Sequence, residues 1–211
     1  MNERGRFITL EGIEGAGKST QAAVVCDLLT EQGRDLVRTR EPGGTEMAER
    51  IRTLLLDPAH QGMSAEAELL LLFAARAEHL ARTIRPALAA GRWVVCDRFT
   101  DATYAYQGGG RGLDSAVIGC LEKLVQGSLR PDLTLLLDLP VAVGLARTRG
   151  RAALDRIETE NEEFFDRVRE HYRQRARLEP ARIRLIDAGA DLTAVTGSVR
   201  RVLSEYLACC D

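Results

Sequence analysis

A chain of 211 residues, 45% hydrophobic and 28% charged, is sized and composed for one domain with a sizeable buried core. Its formal net charge of -2 argues against a general nucleic-acid binder, which would carry a basic excess on one face, so any phosphate ligand has to be met by locally clustered arginines. The five cysteines, Cys26, Cys96, Cys120, Cys209 and Cys210, are odd in number and lack metal-ligand spacing; with no apolar stretch long enough to cross a bilayer, they lead us to expect reduced thiols, a cytoplasmic protein and no membrane contact.

Residues 1–6 run directly into an apolar segment at 7–10 that alternates as a short strand, so no signal peptide is expected. A glycine-rich turn then leads into a helix over 21–29. A second strand is predicted at 36–40 and, beyond the turn Pro42-Gly43-Gly44, a helix over 46–56. Residues 65–90 form a long helix, apolar on most sides through Leu69, Leu70, Leu71, Leu72 and Phe73, and expected to be buried. A third strand follows at 93–97. Asp114 is placed to cap a helix whose Val117, Ile118, Leu121, Leu124 and Val125 share one face. Strands at 133–138 and 183–187 complete the set. Phe165, Val168 and Tyr172 mark a helical face between them, and Leu192, Val195, Val199, Val202, Leu203 and Tyr206 mark a last one.

Five such strands alternating with helices imply an α/β protein, a five-stranded parallel sheet covered on both faces in three layers, and a single domain over 1–211. Ligands of such sheets bind beyond the carboxyl ends of the strands. That gathers Arg40-Glu41, Asp97-Arg98 and Asp138 at the edge that carries the first turn.

That turn carries the most informative motif. Gly12, Gly17, Lys18 and Ser19 satisfy G-x-x-x-x-G-K-[ST], set between strand and helix as a phosphate-binding loop requires. Residues Gly12, Ile13, Glu14, Gly15, Ala16, Gly17, Lys18, Ser19 and Thr20 are expected to cradle a nucleoside triphosphate, with Lys18 on its outer phosphates. The Ser19 hydroxyl and the Asp97 carboxylate are the candidate Mg2+ ligands. Arg98 is a candidate to fork onto a phosphate. Arg40 and Glu41, at the end of the second strand, suggest a second anion site, although the segment TREPGGT alone reads equally well as a structural turn.

The segments GIEGAGKST, TREPGGT, LLLFAAR, CDRFTDATYAYQGGGRG and RGRAALDRIE occur in this order, and with them the chain resembles the bacterial thymidylate kinases over nearly its whole length. The resemblance implies the P-loop NTPase fold and transfer of a phosphoryl group from ATP-Mg2+ to dTMP, a step of dTTP synthesis. It also implies a thymine base stacked on Phe73, with Arg76 at a base carbonyl. Thr103, Tyr104 and Gln107 then lie around the nucleotide, Tyr106 occupies the space of a ribose 2′-hydroxyl, and Gly108-Gly109-Gly110 turn the loop away. A lid over approximately 147–158 brings arginines to the reaction; Arg147, Arg149, Arg151 and Arg156 crowd there. Because this chain has Glu14 where some members carry a loop arginine, Arg149 and Arg151 are the expected catalytic cations, beside Lys18 and Arg98. Glu14 and Glu41 are read as orienting the acceptor sugar, arginines or metal-bound water. A homodimer is the expected assembly.

A regulatory GTPase would need Asn-Lys-x-Asp and Asp-x-x-Gly, and the sequence contains neither. Another nucleoside monophosphate kinase, acting on UMP or CMP for example, remains the nearer alternative. A deoxynucleoside kinase is further off, since it would need a carboxylate base for a neutral hydroxyl.

Overall fold

The computed structural model describes residues 4–148 and 155–209. Five strands, β1 (Phe7–Glu11), β2 (Leu36–Arg40), β3 (Trp93–Asp97), β4 (Leu133–Asp138) and β5 (Ile183–Asp187), form one all-parallel sheet in the order β2-β3-β1-β4-β5. β1 lies at the centre and all five of its residues are buried.

The strands alternate between two faces. Ile8, Leu10 and Val95 point into a cluster with Ala22, Val25 and Leu29 of α1 (Lys18–Glu31) and with Val199 and Leu203 of α9 (Leu192–Ala208). Phe7, Val94 and Cys96 point the opposite way, against Leu80, Ile84 and Leu88. Burying both faces is what makes these strands read as continuous apolar runs. β2 and β5 are the exceptions: as edge strands they are only half covered, so the expectation of five buried strands holds for the three inner ones.

The helices α2 (Glu46–Leu56), α3 (Ala65–His79), α6 (Ser115–Gln126), α8 (Glu162–Leu178) and α9 each open on a side-chain cap, Thr45, Ser64, Asp114, Asn161 and Asp191 respectively, which accepts a backbone N–H of the first turn. The helix expected over 65–90 is interrupted. α3 passes into a π-helical turn, Leu80–Ile84, before α4 (Arg85–Ala89). Nor is it buried all round: Leu69 is 2% exposed but Leu70 is 57% exposed, because successive residues step about 100° around a helix and a run of leucines must point in every direction.

The glycines expected to turn a loop away do not. Residues after α5 (Thr100–Thr103) continue as a π-helix over Tyr104–Gly110, with all three glycines buried. A Cβ on Gly109 would collide with His171, and one on Gly110 with Phe164, so these positions let α8 lie directly on backbone. A further helix, α7 (Val141–Thr148), follows β4 and packs against α8.

Candidate active site

Beyond the carboxyl ends of β1, β2 and β3 lies a cleft of about 540 Å³, whose floor is the glycine loop and the start of α1. Gly12, Gly15 and Gly17 have φ of 142°, 73° and 84°, a left-handed conformation that side chains resist. A Cβ on Gly15 would also strike the backbone of Gly144, so the loop is held from outside by α7. Lys18 Nζ donates to the carbonyl of Ile13 at 2.9 Å. Burial, with the nearby Arg98 charge, lowers its amine to about 8. Next to it the Ser19 hydroxyl donates to Asp97 Oδ2 at 2.9 Å, which sets two oxygens side by side.

Arg98 takes φ of 70°, unusual for a residue with a Cβ, and this turns its side chain from the tip of β3 back towards the loop. Its Nη1 donates to the Gly12 carbonyl at 2.9 Å, its Nη2 to Glu14 Oε1 at 2.6 Å, and its guanidinium lies 4.8 Å from the centre of the Tyr106 ring. The Tyr106 hydroxyl donates to the other Glu14 oxygen at 2.6 Å. Arg40, Arg52 and Arg147 also line the cleft, so cations face the loop from several sides of one space.

At the far end stands Arg76, 2% exposed. Its Nε donates to Glu41 Oε2 at 2.7 Å and its Nη2 to the Thr103 hydroxyl at 2.9 Å, while Nη1 is buried with no partner among the described residues. Phe73 does not offer its ring to the cleft. It is 2% exposed, packs with Leu69 and Ile118, and lies 4.8 Å from the Arg76 guanidinium, which also lies 5.1 Å from the Phe99 ring. Leu72, one step earlier and four residues before Arg76, forms the wall instead. A residue four back lies 40° around the helix from Arg76, closer than the 60° of one three back.

The same rotation decides the next segment. Thr103, Tyr106 and Gln107 share the cleft face of the α5 and π-helical stretch. Tyr104 points outward to α6, where its hydroxyl donates to Glu122 at 2.7 Å and Arg175 covers its ring at 4.4 Å; it does not join the site. Asp138 is likewise occupied elsewhere, forked by Arg169 at 2.7 and 2.9 Å.

Of the arginines around the lid, Arg149 and Arg151 lie outside the described residues. Arg156 lines the cleft but is 2% exposed and tied down: it donates to Glu68 at 2.6 Å and to the Leu55 carbonyl at 2.7 Å.

A profile of the thymidylate kinase family matches residues 10–199. The chain belongs to that family. It is similar to the thymidylate kinase of Pseudomonas syringae pv. tomato, 61% identical over 96% of this chain and 97% of that one. The thymidylate kinase of Pseudomonas putida strain W619 is 60% identical over 97% and 99%. A crystal structure of thymidylate kinase from Ehrlichia chaffeensis superposes with a TM-score of 0.78 at 36% identity, covering 95% of this chain and 99% of that one.

Three residues that line the site of this thymidylate kinase family member, Leu72, Arg52 and Glu68, and one behind it, His79, were not singled out from its sequence. Glu68 is 2% exposed and receives Gln107 at 2.7 Å and Arg111 at 3.2 Å as well as Arg156. Burial opposes ionisation there, but Gln107 and the two arginines hold its carboxyl below the usual range. His79, fully buried, sits behind Glu41. Only the phase of α3 could have pointed to it, since 72, 76 and 79 follow one another at helical spacing.

Proposed function

We propose that the chain transfers the terminal phosphoryl group of ATP to dTMP, yielding ADP and dTDP in the route to dTTP. The observation that carries this is the unpartnered Arg76 Nη1, a buried donor in the same cleft as the phosphate loop. A buried donor left unmade is costly, about 1–3 kcal/mol, and a pyrimidine carbonyl satisfies it. In this assignment the base lies against Leu72, Thr103 and Gln107 flank it, and Tyr106 closes the space of a 2′-hydroxyl.

No general base is needed. A phosphomonoester has its second pKa near ~6 and meets the donor as a dianion at neutral pH. What remains is to hold two polyanions in line and neutralise their repulsion. Lys18 and the amides of residues 12–20 take the donor phosphates, while Arg98, with Arg40 and Arg52, takes the acceptor phosphate. Glu14 and Glu41 orient these cations: both oxygens of each accept from Arg98 and Tyr106, or from Arg76 and His79. Neither carboxylate is left to deprotonate a neutral hydroxyl, which disfavours a nucleoside acceptor.

The adjacent Ser19 and Asp97 oxygens fit Mg2+, a hard cation that takes few protein ligands and fills its remaining positions with phosphate oxygens and water. When bound, the ion neutralises charge on the donor phosphates. Within a lid over approximately 147–158, Arg149 and Arg151 are the cations assigned to the transferring group.

We further assign a homodimer, paired through α3 and α6. These helices pack together and expose Leu70 (57%), Val117 (50%) and Leu124 (79%), with Ala74, Ala77 and Cys120 exposed between them. A Leu124→Glu variant running as a monomer in light scattering, beside a dimeric parent, is the expected result.

The activity is tested by ADP release with ATP and Mg2+ over thymidine, deoxyuridine, cytidine, adenosine and guanosine monophosphates, with thymidine as nucleoside control. Efficient turnover is expected with the first two only, best with the first, and is lost in Lys18→Ala. Neutralising Arg149 and Arg151 lowers turnover more than acceptor affinity; unchanged turnover would defeat the lid assignment.

A further inference from the structure

We propose that His79, which lies behind the cleft wall, is a positioning residue that sets the discrimination between a 4-keto and a 4-amino pyrimidine by fixing the direction of the Arg76 guanidinium. The inference rests on the assignment of Arg76 to the base.

A continuous buried chain connects the two. His79 Nε2 lies 2.7 Å from the Thr39 hydroxyl oxygen, its Nδ1 lies 3.1 Å from Glu41 Oε1, and Glu41 Oε2 accepts from Arg76 Nε at 2.7 Å. His79 is 0% exposed, Glu41 5% and Arg76 2%. A carboxylate only accepts, so Nδ1 carries the proton that faces Glu41. The space beside the ring is shaped for it, since a Cβ on Gly44 would strike both His79 and Thr39.

Each contact removes one freedom from Arg76. The Phe73 and Phe99 rings both pack against the guanidinium. Glu41 and Thr103 hold two of its nitrogens, leaving Nη1 as the group that can meet a ligand. The restraint works only while Glu41 presents one oxygen to Arg76, and His79 is what holds the other oxygen away. Released from His79, that oxygen would be buried and unpaired. Its available donor is Arg76 itself, and the two-pronged pair that carboxylate and guanidinium favour would draw the guanidinium off Thr103 and re-aim Nη1. In this proposal the carbonyl that Nη1 meets is the one at position 4 of the pyrimidine; with Nη1 fixed, that carbonyl accepts from it, whereas an amino group there sets donor against donor.

The test is the ratio of kcat/KM for dTMP over dCMP in the full-length enzyme. His79→Leu is expected to lower the ratio about tenfold, the scale of one displaced buried hydrogen bond. His79→Asn, which keeps an N–H near the position of Nδ1, is expected to restore most of it. A packing role alone predicts the reverse order, since leucine fills apolar space better than asparagine. A wild-type ratio in His79→Leu, or no gain from Asn over Leu, overturns the proposal. Should the His79 variants not fold, Thr39→Val decides: it severs the far end of the chain and is expected to shift the ratio in the same direction, and a wild-type ratio in the folded Thr39→Val variant overturns the proposal. Arg76→Gln separates the two levels. An unchanged ratio there fails the base assignment, while a fall there with none in His79→Leu fails the relay alone.

Discussion

Arg98, at the tip of β3, and Glu14, in the phosphate loop, are joined by an ion pair of 2.6 Å with both side chains largely covered. The cation assigned to the acceptor phosphate is thereby cross-linked to the loop assigned to the donor, and Tyr106 shares the same carboxylate.

Removing that link is expected to loosen both nucleotides at once. Glu14→Gln retains size and the Tyr106 contact but drops the charge that holds Arg98. A fall in kcat of about ten- to a hundredfold is expected, roughly one lost charge-assisted hydrogen bond at 1.5–3 kcal/mol. Steady-state kinetics with both substrates varied checks it; an unchanged kcat would show that Arg98 is held without Glu14.

Leu72 and Phe73 are neighbours with opposite surroundings, so truncating each separates recognition from packing. Leu72→Ala is expected to raise KM for dTMP about tenfold while leaving the thermal midpoint within a few degrees. Phe73→Ala opens a cavity under Arg76 and is expected to cost about 3–5 kcal/mol of stability in denaturant melts. The opposite pattern would return the ring to the base.

Glu68 holds Arg156 and Arg111 at its carboxylate with almost no exposure. Glu68→Ala leaves the Arg156 guanidinium buried without its counter-charge, and about 3–5 kcal/mol of destabilisation is expected. The double variant with Arg156→Met should recover part of that loss. Additive losses in the double-mutant cycle would show that the two are not coupled.

Glu11 ends β1 fully buried, accepting from the Phe99 amide and the Tyr172 hydroxyl at 2.7 Å each. Burial, with the Asp101 charge adding, pushes its carboxyl up to about 8 against the partial pull of Tyr172 and Arg98. Between about 4.5 and 8 the folded chain therefore holds a proton that the unfolded chain has released, and stability falls as pH rises through that window. The carboxyls of Glu41 and Glu68 are lowered and act below it, with the opposite sign. Urea midpoints are expected to drop between pH 5.5 and pH 8.0 by the equivalent of about 2–3 kcal/mol in the parent and to differ little in Glu11→Gln. Parallel pH profiles for the two proteins would sink the assignment.

The strands were legible because a sheet covered on both faces demands runs such as Trp93-Val94-Val95-Cys96, and helix starts were legible at Asp114 because its side chain replaces a missing backbone acceptor. What could not be read was phase. In Leu69 through Phe73 every step is apolar, so nothing in the pattern tells which residue meets the cleft and which the core. Tyr104 and Tyr106 differ in fate for the same reason. The glycines at 108–110 misled differently: a turn and a close helix contact both require the missing Cβ, and the choice between them is made by Phe164 and His171, more than fifty positions later in the chain. His79 is an isolated polar residue whose partners Thr39 and Glu41 come together only when β2 meets α3.

Where α8 rests on bare peptide at Gly109 and Gly110, no side chain of the nucleotide-facing segment intervenes to absorb a shift. His171 and Phe164 thus serve as a rear template that registers Tyr106 and Gln107 from behind. Substitutions at the buried Phe164 or at His171, neither of which lines the cleft, are therefore expected to shift Tyr106 and Gln107 and with them the proposed choice of sugar and base, making α8 a remote dial on selectivity.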